Sequence, residues 1–181
     1  MGGSGLTGDV PGPCGFHYDA TVTSPDPARS DPPETLPCQP SLLCERLLDR
    51  DRRVLLFGPS GSGKTTLAAG LAAELAARGR RASCLAADPG SPAFGVPGAV
   101  CLGDWLQGAW SLHAIEALCS LDAARFRLPL AAAVAILARE AGGGILLVDA
   151  PGVVRGVAGA ELLDALVQAA AIDLVLVLHG E

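Results

Sequence analysis

Short, wholly apolar runs alternate along this chain with longer stretches in which apolar residues recur every three or four positions. The runs fall at residues 54–57 (VLLF), 82–87 (ASCLAA), 145–148 (ILLV) and 173–178 (DLVLVL). Continuous apolar runs of this length mark strands buried on both faces. Between them, residues 66–78, 128–140 and 160–171 read as helices. Gly79 stops the first, Gly142-Gly143-Gly144 follows the second, and Pro129 is tolerated in a first helical turn. A further helix is expected at 41–51, with Ser41 as N-cap and Leu42, Leu43, Leu47 and Leu48 on one face. Strands alternating with helices predict an α/β fold, a doubly wound and mostly parallel sheet. Residues 98–102 suggest one more short strand. Residues 103–127 show no clear period, and Trp105 and Trp110 within them read as partial core. Residues 1–40 hold eight of the fourteen prolines and neither period. They are expected to form a disordered or loosely attached segment ahead of a domain at 41–181. Phe16, His17 and Tyr18 stand there as an isolated aromatic group.

The join between the first run and its helix carries the chemistry. Gly58-Pro59-Ser60-Gly61-Ser62-Gly63-Lys64-Thr65 fits G-x-x-x-x-G-K-[ST] at every fixed position, with Thr66 opening the helix. A triphosphate carries about four negative charges, and backbone N–H groups can cradle it only where glycine lets the chain approach. A helix N-terminus adds partial positive charge. Lys64 is placed to reach the outer phosphates, and the Thr65 hydroxyl to ligand Mg²⁺. The plainer alternative, a Gly/Ser turn that carries a lysine by accident, does not account for a strand before it and a helix after it. The sequence therefore predicts a P-loop NTPase that takes a nucleoside triphosphate with Mg²⁺.

Composition narrows the partners. Half the residues are apolar and 18% are charged, enough for a sizeable core. The net charge of −6 argues against a broad electrostatic footprint for nucleic acid, so any such contact is local. Lys64 is the only lysine among thirteen Lys and Arg residues. The six cysteines show no C-x-x-C pair; Cys84, Cys101 and Cys119 read as small core residues. The longest apolar run, 128–138, is too short to span a bilayer, and residues 1–20 lack a signal-peptide pattern. The expectation is a cytoplasmic protein that does not enter a membrane.

Two strand ends supply carboxylates. Asp88 follows the second run and Asp149 the third, where open α/β sheets place their ligands. Asp149-Ala150-Pro151-Gly152 fits the D-x-x-G of GTPases, but the next strand runs into His179-Gly180-Glu181 with no N-K-x-D to select guanine. Machine and transporter ATPases need an L-S-G-G-Q signature or a sensor arginine, and neither is visible.

Three separated segments carry a resemblance. Residues 54–98 look like the P-loop, second strand and D-x-G-Q-x-x-x-x-x-P-G loop of the polynucleotide 5′-hydroxyl kinase family. Residues 146–178 are similar to that family's strand, N/D-T-x-G-W-V-x-G turn, helix and closing strand. Cys119-Ser120-Leu121-Asp122 stands where the family carries a Ser/Thr-rich turn. The resemblance implies transfer of the γ-phosphate of ATP to the 5′-OH of RNA or DNA, with a single-stranded 5′ end as acceptor. It implies Lys64 and the loop amides on the phosphates, Thr65 on Mg²⁺, and Asp88 orienting and deprotonating the attacking hydroxyl. Asp149 is implied as a second metal-side group. The chain departs from the family at Ser91 (Gln in the family) and at Val153 (an aromatic there). Asp122 would repel any phosphate it faced. Arg125, Arg127 and Arg155 are the local cations that could stand in for the family's lid. The other reading is a non-catalytic or partner-dependent nucleotide-binding module. Because the chain stops directly after a core strand, it reads as a fragment or a reduced form. An open sheet edge after Leu178 is then expected to promote self-association or take a protein partner.

Overall fold

The structure is a computed structural model that describes residues 19–25, 33–37, 39–47 and 52–179. Phe16, His17 and Tyr18, the expected helix end at 48–51 and the last two residues lie outside the described residues. One eight-stranded sheet runs in the order β2-β1-β8-β3-β7-β4-β5-β6. Its centre is parallel: β8 (Leu174–Leu178), β3 (Arg53–Phe57), β7 (Ile145–Asp149) and β4 (Ala82–Ala86) are the four apolar runs of the sequence.

Side chains of these strands alternate between two cores. Val54, Leu56, Cys84, Leu147 and Leu176 face the layer of α1 (Pro40–Leu47) and α2 (Lys64–Ala77), against Leu43, Leu67, Leu71 and Leu75. Leu55, Phe57, Leu85, Val148 and Val175 face α3 (Arg127–Glu140) and α4 (Gly156–Ala169), against Leu130, Val134, Leu162 and Leu166. A strand buried on both faces has no polar face to show, which is why the runs are continuous and not alternating. The α/β P-loop NTPase fold expected from the pattern is the fold observed. At the lower end, Arg53 ties both helices of one layer to the sheet: its guanidinium donates to Ala170 O at 2.8 Å and Ala138 O at 3.0 Å.

Both flanks of the parallel core are antiparallel, and here the structure departs from the sequence reading. β5 (Ala99–Leu106) and β6 (Ala109–Ala117) form a hairpin on β4 where 103–127 showed no period. Its two-residue turn puts Gln107 at φ 52° and Gly108 at φ 84°, the positive pair that a type I′ hairpin turn requires. β6 is exposed along most of its length at the sheet margin, so no buried face imposes strict alternation on it. Trp105 and Trp110 pair across the hairpin edge-to-face with centroids 4.8 Å apart, and Phe94 stacks on Trp110 at 5.6 Å. All three pack partly buried against the α1–α2 core, as partial core residues do.

At the other flank, residues inside the segment expected to lack regular structure form β1 (Asp19–Thr23) and β2 (Glu34–Pro37). β1 pairs antiparallel with β8, Ala20 opposite Leu178 and Thr23 opposite Val175. The expected open edge after Leu178 is therefore occupied by β1. Unpaired backbone groups on a core strand are costly, and a short segment carrying the β-branched Thr21, Val22 and Thr23 satisfies them. Cys44, Cys84 and Cys101 are buried, but Cys119 is exposed at φ 53°. It is a turn residue after β6 and not core, because both it and Leu118 donate their N–H groups to Gly98 O.

Thr21→Pro removes a ladder donor from β1, which is flanked on both sides by β2 and β8. A loss of about 3 kcal/mol is expected, read as a lower urea midpoint together with larger species on a sizing column. An unchanged midpoint would mean that β1 does not hold the β8 edge in solution.

Candidate nucleotide site

The loop after β3 turns where the sequence places its glycines. Gly61 and Gly63 take φ 80° and 84°, left-handed values that a side chain resists, and Gly63 leads directly into α2. Gly58 is required by close approach: a Cβ there would lie 2.6 Å from Leu178 O and 2.7 Å from Ser62 Oγ. Lys64 is 7% exposed, and its ammonium donates to Gly58 O and Pro59 O at 2.9 Å each. The loop thus closes on its own lysine.

β7 ends one strand away. Its register sets Asp149 opposite Leu56 of β3 and Ala86 of β4, so the carboxylate rises between the loop and the tip of β4. Thr65 Oγ1 donates to Asp149 Oδ2 at 2.6 Å. Asp149 is only 2% exposed, and its Oδ1 has no partner; nor has the buried Ser62 Oγ. Burial pushes the Asp149 carboxyl up, opposed by the Thr65 hydrogen bond and the Lys64 charge. The same burial pushes Lys64 down, opposed by Asp149 and Asp88.

Asp88 follows β4. Its Oδ1 accepts the N–H groups of Gly90 (3.0 Å) and Ser91 (3.3 Å), an Asx turn that fixes the carboxylate at the start of the 88–98 loop. It lines an open pocket of about 420 Å³ together with Ser60, Asp122, Gly152 and Val153. Gly152 presses on the phosphate loop: a Cβ there would stand 2.6 Å from Ser60 N and closer still to Ser60 Oγ. That contact between the Asp149–Gly152 turn and the loop left no mark in the sequence beyond the glycine itself. Of the three arginines considered as stand-ins for a lid, Arg127 is committed to Ala124 O and to Glu161, at 2.7 Å from the latter. Arg125 and Arg155 are exposed.

The residues present fit a Mg²⁺ nucleotide. A hydroxyl and a carboxylate, both hard oxygen donors, meet at 2.6 Å, and the second carboxylate oxygen is buried without a partner. Among the described residues no three His, Cys, Asp or Glu side chains gather to hold a metal by themselves. Mg²⁺ needs no such cage, since one or two protein oxygens, phosphates and water complete its octahedron.

Known proteins agree at the level of fold. The AAA domain family matches residues 26–104, which include the phosphate loop, α2 and β4. No curated protein sequence matches the chain. Among solved structures it is similar to a complex of wild-type Clp1p with Pcf11p residues 454–563, at 16% identity and TM-score 0.54. That match covers 77% of this chain and 42% of the other. A second structure is described as an extended interface between Pcf11p and Clp1p with the basis for ATP loss in a point mutant. It matches at 15% identity and TM-score 0.53, covering 79% and 43%. The chain thus spans less than half the length of these neighbours. Fold and loop together define a nucleotide-binding P-loop protein. Among the described residues no helix is long and apolar enough to cross a membrane.

Two outcomes follow from this geometry. The folded chain holds the Asp149 proton more tightly than the unfolded chain does. Nucleotide-free protein should therefore lose stability as pH rises from the ordinary carboxylate range through the raised Asp149 value. Asp149→Asn should flatten that limb in urea titrations at stepped pH; identical slopes in both proteins would contradict the burial argument. Gly152→Ala forces a Cβ against Ser60 N and should cost about 1–3 kcal/mol, read in the same unfolding assay.

Proposed function

We propose that this chain binds ATP with Mg²⁺ and transfers the γ-phosphate to a hydroxyl, with the 5′-OH of an RNA or DNA strand as acceptor. The observation that carries the reading is the Thr65–Asp149 pair at 2.6 Å beside a buried Lys64, with Asp88 lining the pocket on the far side of Ser60. In this reading Lys64 exchanges its two carbonyl partners for the β- and γ-phosphates, and the loop amides of Gly58–Thr66 cradle the chain of phosphates. Thr65 and Asp149 are the residues that would hold Mg²⁺, which when bound would supply charge neutralisation to the phosphates. Asp88 orients the attacking hydroxyl and takes its proton. The resemblance in three segments supplies the acceptor class.

A second reading has its own observation. Among the described residues no lysine or arginine lines the pocket beside the phosphate loop, and Arg127 is held by Glu161. A nucleotide-binding module completed by a protein partner would look the same. The similar solved structures are themselves complexes, of Clp1p with Pcf11p.

Transfer of labelled γ-phosphate to a 5′-hydroxyl RNA oligonucleotide, abolished by Lys64→Ala, is the expected result. Lys64→Ala should also weaken ATP binding by roughly 10–150-fold, the equivalent of losing about 1.5–3 kcal/mol of charged hydrogen bonding. ATP binding without transfer would favour the partner-dependent module. No Lys64-dependent binding would overturn both readings.

A further inference from the structure

We infer that Asp122, together with Asp88, makes the pocket beside the phosphate loop selective for an acceptor end that arrives uncharged, and expels that end once it is phosphorylated. The inference rests on the phosphoryl-transfer reading above. Both carboxylates line the same open pocket as Ser60, and among the described residues no cation does. Its other walls are mostly apolar, with Leu121, Pro151 and Val153. Asp122 is held by local bonds: its N–H donates to Ser120 Oγ at 3.2 Å, and its Oδ1 accepts the Arg125 N–H at 3.0 Å. Of the three arginines near the turn, Arg127 is tied to Ala124 O and Glu161, and Arg125 and Arg155 are exposed and outside the pocket lining.

The reaction changes the charge of the molecule in this pocket. An acceptor hydroxyl enters neutral and loses its proton to the Asp88 carboxylate. A bond forms between its oxygen and the γ-phosphorus, and the bond from that phosphorus to the β–γ bridging oxygen breaks, leaving ADP. The product end is now a phosphomonoester with a charge of about −1.5 to −2 at pH 7. Asp122, joined by Asp88 once that carboxyl has passed its proton to solvent, repels that group, and repulsion is an effective way to discriminate between ligands that differ only in charge. The pocket therefore selects against ends that are already phosphorylated and favours product release.

The test is equilibrium binding of two labelled RNA oligonucleotides of one sequence, one 5′-hydroxyl and one 5′-phosphate, to the full chain with ADP and Mg²⁺. Wild type should bind the 5′-hydroxyl strand about tenfold or more tightly than the 5′-phosphate strand, with the preference eroding as salt rises. Asp122→Asn keeps an oxygen for the Arg125 N–H and should narrow the preference to about threefold or less, by tightening the 5′-phosphate strand. Product inhibition by the 5′-phosphate strand should deepen in parallel. Equal binding of the two strands by wild type would overturn the inference. So would an unchanged ratio in Asp122→Asn, or failure of the 5′-hydroxyl strand to bind while ADP remains bound. Phosphate transfer without selectivity would sink this inference alone, whereas absence of Lys64-dependent nucleotide binding would sink the functional reading beneath it.

Discussion

The structure depends on two opposite charges taken out of water at the tips of neighbouring strands. Lys64 and Asp149 are 7% and 2% exposed, and each is held away from its ordinary protonation balance mainly by burial. Each is held by a polar neighbour, Lys64 by Gly58 O and Pro59 O and Asp149 by the Thr65 hydroxyl, because a buried polar group without partners is costly. Their proximity follows from sheet order: β7 lies directly against β3, so the carboxylate ending one strand meets the loop ending the other. The left-handed glycines, the close approach of Gly58 to β8 and the pressure of Gly152 on Ser60 all serve that arrangement.

The parallel core was legible in the sequence because two-sided burial leaves an unmistakable trace. Strands β3, β4, β7 and β8 and helices α2 and α3 lie within a few residues of where apolar runs and periodicity placed them. The antiparallel flanks were not legible, for two different reasons. β6 is exposed on most of its positions, so burial wrote no period into it; Gln107-Gly108 is also a weaker hairpin signal than Asn-Gly or Asp-Gly. β1 and β2 are strands by pairing with a neighbour: Thr21, Val22 and Thr23 favour the conformation, but so short a run beside Pro25, Pro27, Pro32 and Pro33 does not announce a strand until the edge of β8 takes it.

The candidate site shows the same division. Lys64, Thr65 and Asp149 stand together where a fixed motif and a strand end locate them along the chain. The contact between Gly152 and Ser60 and the partnerless oxygens of Ser62 and Asp149 arise only when distant segments meet. Asp122 is intermediate. Its charge was apparent from the sequence, but only the pocket gives that charge something to act on.

The pairing of β1 with β8 also orders events in time. Residues 20–23 are matched with residues 175–178, so this ladder closes a loop of some 155 residues, and such closure is slow compared with local contacts. During synthesis from the N-terminus, β1 has only β2 to pair with until β8 has emerged and settled on β3. Gly58 packs against Leu178 O, so the phosphate loop lacks one of its walls over the same interval. A nascent chain would acquire its helices and hairpin early and its nucleotide grip among the last steps, leaving a bound nucleotide able to stabilise only chains that have closed the sheet.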